Sequence, residues 1–215
     1  MIIKRISCKV KEGYKETFYE YQKQWNPLSK VKGFLGQIGG WSITQPLTAC
    51  VYSFWENQTD YNIFMEKEHD SIFIDSGQET TCDSIDVSVF HQKLRVPGVE
   101  ENIGNIVRIA KYIRVAMSKV KEDKLIHFVN MQEEVWNTGM QKSEGILGGT
   151  CALSQKQSNE FLVLTGWESK SYHQRYMVEH FPGLLKTAKP KNEVLELTGE
   201  QFKVEEAWRV CPKAY

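Results

Sequence analysis

The sequence predicts an α+β protein built from two ferredoxin-like βαββαβ repeats that form an intrachain pseudo-dimer. Three observations carry this. The chain matches itself at a nearly constant offset; each half switches between the two-residue period of a strand and the 3.6-residue period of a helix in one order; and a stretch with neither period separates the halves. Val10-Lys11-Glu12-Gly13 returns as Val120-Lys121-Glu122-Asp123 at an offset of 110, and Phe18 and Tyr21-Gln22 meet Phe128 and Met131-Gln132 at the same offset. Gly33-Phe34-Leu35-Gly36 matches Gly145-Ile146-Leu147-Gly148 and Trp55-Glu56 matches Trp167-Glu168, both at 112, while Glu68-His69 matches Glu179-His180 at 111. The expected division is a first repeat over 1–97, a linker over 98–104 and a second repeat over 105–215, the boundary marked by the Pro, Gly and acidic residues of 96–104.

Residues 2–10 alternate, with Ile2, Ile6, Cys8 and Val10 on one side and Arg5, Ser7 and Lys9 mostly on the other, as in a half-buried strand. From Lys11 the period lengthens: Tyr14, Phe18, Tyr21 and Trp25 form one stripe of a helix, which Asn26-Pro27 closes. Residues 34–44 and 48–55 read as strands about a Gln45-Pro46-Leu47 turn. A second helix runs from Thr59 to Phe73, capped by Thr59 or Asp60, and 84–94 alternates as the last strand. The second repeat gives 106–120, 124–138, 146–154, 160–167, 171–186 and 202–211, with 190–200 an insertion of no assigned type. This order places both helices on one face of an antiparallel sheet, and the second copy is the expected cover for the bare face.

Of 215 residues, 27 are Lys or Arg and 27 are Asp or Glu, so the net charge is zero and no concentrated positive surface for nucleic acid is expected. No run of about 18 apolar residues marks a membrane span. The five cysteines include no Cys-x-x-Cys pair, and no secretory signal opens the chain, so free thiols in a reducing cytoplasm are expected. Neither their spacing nor that of the histidines suits a metal site, and the glycines of 36–40 and 145–149 lack phosphate-loop and dinucleotide spacing; a bulge or close backbone contact is the expected role.

His69 and His180 are the candidate catalytic residues. Each ends an i, i+4, i+8 stripe, Tyr61-Met65-His69 in one repeat and Tyr172-Tyr176-His180 in the other, which should face inward. An imidazole there serves as acid or base near neutral pH, or as a structural hydrogen-bonding group. Trp55, Trp167, Trp25, Trp136, Tyr61, Phe64, Tyr172 and Tyr176 are the candidate walls of an apolar pocket for a flat hydrophobic ligand; plain core packing is the other reading. His127 and His173 are expected at the surface.

The paired motifs Gly33-Phe34-Leu35-Gly36 and Gly145-Ile146-Leu147-Gly148, the strand ends Val51-Tyr52-Ser53-Phe54-Trp55-Glu56 and Leu162-Val163-Leu164-Thr165-Gly166-Trp167-Glu168, and the helices with Glu68-His69 and Glu179-His180-Phe181 resemble the antibiotic-biosynthesis monooxygenase-like family of dimeric α/β barrels. Within it the chain is similar to tandem-domain bacterial proteins of the YdbC type. The resemblance implies a cofactor-free oxygenase acting on a small aromatic or quinol-type compound, with a non-catalytic binding or stress-response module as the alternative. It further implies a small hydrophobic aromatic ligand as partner and leaves a further homodimer open. Haem degradation is disfavoured, since that branch's strand-one asparagine falls on Ile6 and Ala116 and its haem-ligating histidine on Ile74 and Lys186.

Overall fold

The computed structural model describes residues 1–213. Its elements in chain order are β1 (Ile2–Val10), α1 (Lys15–Gln22), β2 (Phe34–Trp41), β3 (Thr48–Trp55), α2 (Gln58–Lys67), α3 (His69–Ser76), β4 (Cys82–Val96), α4 (Ile103–Ile109), β5 (Tyr112–Val120), α5 (Leu125–Met131), α6 (Thr138–Met140), β6 (Ile146–Ser154), β7 (Glu160–Trp167), α7 (Lys170–Glu179), α8 (Phe181–Ala188) and β8 (Val194–Lys203). Two compact units form, one of Met1–Val89 with the described residues from Phe202 onward, the other of Phe90–Gln201.

In the first unit the strand order is β2-β3-β1-β4. β1 and β3 pair antiparallel from Ile2↔Trp55 to Lys9↔Thr48. Alternation along β1 sends Ile2, Cys8 and Val10 to the helix side, where Phe18, Trp25, Trp55, Tyr61 and Phe64 close the core. The second unit has the order β6-β7-β5-β8, β5 pairing β7 from Tyr112↔Trp167 to Lys119↔Glu160. Phe90–Val96 of β4 belongs to this unit and pairs antiparallel with β6. Both units are thus α+β with antiparallel strands. The doubled Gly-x-x-Gly stretches hold β-bulges, with the register slipping between Phe34 and Gly36 and again between Ile146 and Gly148. Gly33 and Gly145 adopt φ of 72° and 75°, and a Cβ on either would strike Asp60 or Tyr172 at 2.5 Å or less.

Several elements differ from expectation. The single helix over 59–73 is two helices meeting at Glu68, and 171–186 likewise splits at His180. Pro182, which has no N–H to donate, ends the ladder of the second pair; in the first, Asp70 places a negative charge in the opening turn of α3. The cap of α2 is Asn57, whose side chain accepts from the Asp60 N–H. α1 stops at Gln22, and the chain continues as a 3-10 helix over Lys23–Lys30 that tolerates Pro27. Residues 190–200, unassigned from the pattern, contribute most of β8; its Leu195 and Leu197 are more than half exposed, so no alternation of burial betrays a strand. The strand expected from residue 106 starts later: α4 takes Ile103–Ile109, overlapping the expected linker at 103–104, and β5 begins at Tyr112.

Of the strand expected over 202–211, only Phe202 and Lys203 are in one, as the end of β8. From Phe202, near the end of β8, the chain belongs to the first unit, where Val210 exchanges two backbone hydrogen bonds with Gln37 (2.8 and 3.0 Å) and Phe202 stacks on Tyr52 with ring centroids 6.1 Å apart. Compact units and sequence repeats therefore have different boundaries.

Candidate functional site

In the second unit a cavity of about 80 Å³ lies between one face of β5 and β7 and the helices above it. Strand periodicity puts Arg114, Ala116 and Ser118 of β5 on that face together. Val163 of β7, Phe128, Gln132, Trp136, Met140, Tyr176 and Phe181 enclose it, and Leu185, Pro190, Val194 and Leu197 form its outer part. Between α5 and α6 the chain forms a π-helical turn over Gln132–Asn137. This turn takes up one residue relative to the first unit: Gln22 and Gln132 are 110 apart, Trp25 and Trp136 are 111 apart. Both Gln132 and Trp136 line the cavity, so the extra residue falls at its wall, a common place for π turns.

The cavity is apolar except for a few groups, and their protonation is set by burial. Desolvation pushes the Tyr176 phenol up to about 12, against the opposing effect of the Arg114 charge. Behind Tyr176 lies His173, 3% exposed, its ring 5.3 Å from both Tyr112 and Trp167. Burial first, and Arg114 second, hold it down at about 4, so it is neutral at pH 7. Its Nε2 is buried without a hydrogen-bond partner. The expectation of a surface histidine at 173 is therefore corrected: Ser169 caps α7 through the Tyr172 N–H, which turns position 173 toward the sheet. His127 has a 57% exposed side chain, with Nδ1 donating to Glu193 Oε2 at 2.6 Å.

The first unit fills the corresponding space with side chains. His69 sits among Trp25, Phe64 and Phe73, with centroid distances of 5.6, 5.7 and 5.9 Å. Its Nδ1 lies 3.0 Å from Asp70 Oδ1. Burial and then the Lys4 charge lower its pKa, opposed by the Asp70 hydrogen bond. Lys4, 4% exposed, directs Nζ at Met65 Sδ (3.5 Å), and burial lowers it to about 8 while Asp70 pulls the other way. Trp25 Nε1 donates to Gln78 Oε1 (2.9 Å), and Gln78 Nε2 donates to Gln22 Oε1 (2.6 Å).

Ring geometry identifies the counterparts. Trp55 meets Tyr61 edge-on (5.7 Å) as Trp167 meets His173 (5.3 Å); Phe64 meets His69 edge-on at 83° as Tyr176 meets Phe181 at 76°. His69 thus corresponds to Phe181, and His180 to Glu68, at a uniform offset of 112. His180 is the half-buried C-cap of α7, its backbone N–H on the Tyr176 carbonyl, and it is not among the cavity-lining residues. Of the anticipated pocket aromatics, Trp136 and Tyr176 line the cavity. Trp167 stands directly behind Tyr176, and Tyr172 packs on Gly145. Trp25, Trp55, Tyr61 and Phe64 belong to the first unit's core. Arg114, Phe181 and His173 are the residues that pattern reasoning passed over. Among the described residues no cluster of three His, Cys, Asp or Glu side chains is arranged to hold a metal ion, and no helix is long and apolar enough to cross a membrane.

The uncharacterized protein YdbC of Bacillus subtilis (strain 168) is 44% identical to this chain over 94 residues, 43% of this chain and 79% of the relative. The chain belongs to the YdbC family. A family model described as a domain of unknown function, DUF4937, matches residues 2–90 of this YdbC-family chain. Solved structures share its fold over nearly full length. A candidate monooxygenase from Lactobacillus acidophilus NCFM has a TM-score of 0.74 at 12% identity, covering 100% of this chain and 97% of that one. Another from Fusobacterium nucleatum subsp. nucleatum has 0.79 at 10% identity, covering 100% and 95%. At such identities the likeness shows the fold alone, an α+β architecture that this chain shares with those structures.

A second reactive feature of this YdbC-family chain lies in its first unit. A hydrogen bond from Cys8, with the Thr81 hydroxyl and the Lys11 charge, lowers the Cys82 thiol to about 7 against the effect of its burial; the same hydrogen bond, and then burial, raise Cys8. Cys82 is half-buried, whereas Cys8, Cys50 and Cys151 are buried. Since the thiolate is the reacting form, Cys82 is expected to be modified first by iodoacetamide at pH 7, and Cys8→Ala to slow it by about 3-fold or more. Mass spectrometry of partially alkylated protein checks this; first labelling at Cys211, or no effect of Cys8→Ala, contradicts it.

Proposed function

We propose that this chain is a cofactor-independent monooxygenase-like enzyme that takes a small aromatic or quinol-type compound into the cavity of the second unit. The observation that carries the reading is the half-open aromatic cavity itself, walled by Phe128, Trp136, Tyr176 and Phe181, with one cation, Arg114, on its floor. In this reaction an anthrone-type CH₂ becomes a carbonyl: one atom of dioxygen enters the substrate and the other leaves as water with the two hydrogens removed. Arg114 favours the ionised substrate, and the dry wall favours electron transfer from that anion to oxygen. The base roles first assigned to His69 and His180 belong to this proposal as alternatives to deprotonation assisted by Arg114. We further read the chain as two copies of one repeat, 1–97 and 105–215 joined by 98–104, forming an intrachain pseudo-dimer, and place it in the cytoplasm, where its thiols stay reduced.

The test is oxygen consumption with anthrones and quinols. Ala116 lies on the cavity floor and is 8% exposed; Ala116→Leu adds three carbons and is expected to fill the cavity and abolish turnover with less than about 2 kcal/mol lost in stability. Turnover unchanged in Ala116→Leu removes the cavity from the mechanism. Unchanged rates in His69→Ala/His180→Ala remove those two histidines.

A second reading, a non-catalytic binding or stress-response module, draws on a specific observation. Of the groups at and behind the cavity, Tyr176 is raised to about 12 and His173 lowered to about 4, and neither is poised near neutrality for acid–base work. Ligand binding without oxygen uptake for any anthrone or quinol selects this reading.

A further inference from the structure

We propose that the cavity of the second unit is an anion site, binding a compound with a carboxylate or phenolate head and an apolar body, with the head paired to Arg114 and the body leaving past Leu185 and Leu197. The assignment deepens the reading above, resting on it for the cavity and not for oxygen chemistry.

Arg114 lines the cavity, and none of the residues lining it is acidic. Among the described residues no carboxylate forms an ion pair with its guanidinium, and no side chain or carbonyl accepts a hydrogen bond from it. A desolvated guanidinium is costly unless an anion or several acceptors meet it, and its planar fork suits a carboxylate. Burial accordingly lowers its pKa, and only the Tyr176 phenol acts in the other direction.

The first unit supplies an internal comparison. Lys4 occupies the same register on β1 as Arg114 on β5: Lys4 pairs with Ser53, which holds the Trp55 indole, and Arg114 with Thr165, which holds the Trp167 indole. Lys4 has a compensating carboxylate close by, Asp70, at the second position of α3. The second position of α8 is Pro182. The cation is therefore kept while its carboxylate is lost, and the space around it is opened from a packed His69–Phe73 cluster into a cavity. A supplied anion restores the balance that Asp70 provides in the first unit. The outer wall fits an apolar body, since Leu185 and Leu197 are 40% and 61% exposed. At about 80 Å³ the cavity takes the head and part of a ring, leaving the rest of the ligand among those leucines.

Benzoate and its neutral isostere benzamide serve as probes, titrated against the full chain at pH 7 and followed by calorimetry and by fluorescence of Trp136, which lines the cavity. Benzoate is expected to bind at least about 10-fold more tightly than benzamide, and Arg114→Met to abolish that preference while leaving benzamide affinity within about 2-fold. Pro182→Asp, which keeps Arg114 and restores the carboxylate of the first unit, is expected to weaken benzoate selectively; it serves as the test should Arg114→Met not fold. Equal affinities for the two probes, no saturable benzoate binding up to about 10 mM, or benzoate binding unaffected by both variants overturns the proposal. Charge-selective binding without oxygen consumption leaves the anion site standing and ends the monooxygenase reading alone.

Discussion

Trp208→Ala is expected to lower stability by about 3–5 kcal/mol, the range for removing a fully buried large aromatic. Trp208 is 0% exposed. Its ring is held by Phe18, Tyr19 and Trp41 at centroid distances of 5.7, 5.7 and 5.2 Å, and Nε1 donates to the Tyr19 carbonyl at 3.2 Å. The same segment delivers Val210 to its two hydrogen bonds with Gln37. Removing the indole leaves a cavity beside β1 and α1, takes one donor from the Tyr19 carbonyl and loosens that bridge. Denaturant unfolding measures the loss, and hydrogen exchange at the Gln37 amide reports whether it is sited there. Trp208→Phe, which keeps most of the ring, should lose less than half as much. A change below about 1 kcal/mol for the alanine variant would mean that the segment rests on the first unit without supporting it.

That segment illustrates what the amino-acid pattern conveys and what it conceals. Strands such as Ile2–Val10, Ile146–Ser154 and Glu160–Trp167 are legible to the residue: the first from its alternation, the other two as short apolar runs, bounded by turn residues, that are buried on both faces. Nothing local tells residues 202–213 which unit they join, since the choice depends on Trp208 meeting Phe18 and Trp41, far away in sequence. The facing of the second repeat's helix is hard to read for a related reason. Aligning Glu68-His69 with Glu179-His180 uses an offset of 111, yet Gly33/Gly145 and Trp55/Trp167, both before it, stand at 112. The one-residue slip rotates a helix by about 100° and exchanges an inward for an outward position. With 112 applied throughout, His173 falls on Tyr61, and the buried histidine becomes readable. Arg114 was also within reach: it lies in the inward set Tyr112, Arg114, Ala116, Ser118, where a cation stands out, as Lys4 does between Ile2 and Ile6. What no pattern could reveal is that the space above Arg114 is open while that above Lys4 is filled, because this depends on Pro182, Phe181 and the π turn acting together.

Acid should destabilise this protein through His173, and His173→Phe should remove that sensitivity. In the unfolded chain the imidazole titrates near its ordinary value of about 6.5; in the folded chain it is held at about 4 by burial and by Arg114. Between these values the unfolded state binds a proton that the folded state refuses, so the contribution is complete above about pH 6.5 and is lost as the pH falls toward 4. The difference amounts to at most about 3 kcal/mol. Tyr112, Tyr176 and Arg114 are the titratable or charged groups around the ring, and none changes charge in this window: burial raises both phenols, and the guanidinium stays ionised. Phenylalanine suits the aromatic site between Tyr112, Trp167 and Tyr176 and removes the unpartnered Nε2. On going from pH 7 to 4.5, the wild-type Tm should fall by about 5 °C or more beyond the fall seen in His173→Phe, at roughly 2–4 °C per kcal/mol for a chain of this size. The carboxylates contribute equally in both proteins and cancel in the comparison. Identical falls in the two proteins would show that His173 takes up its proton without penalty, and therefore that the wall behind the Arg114 cavity admits water.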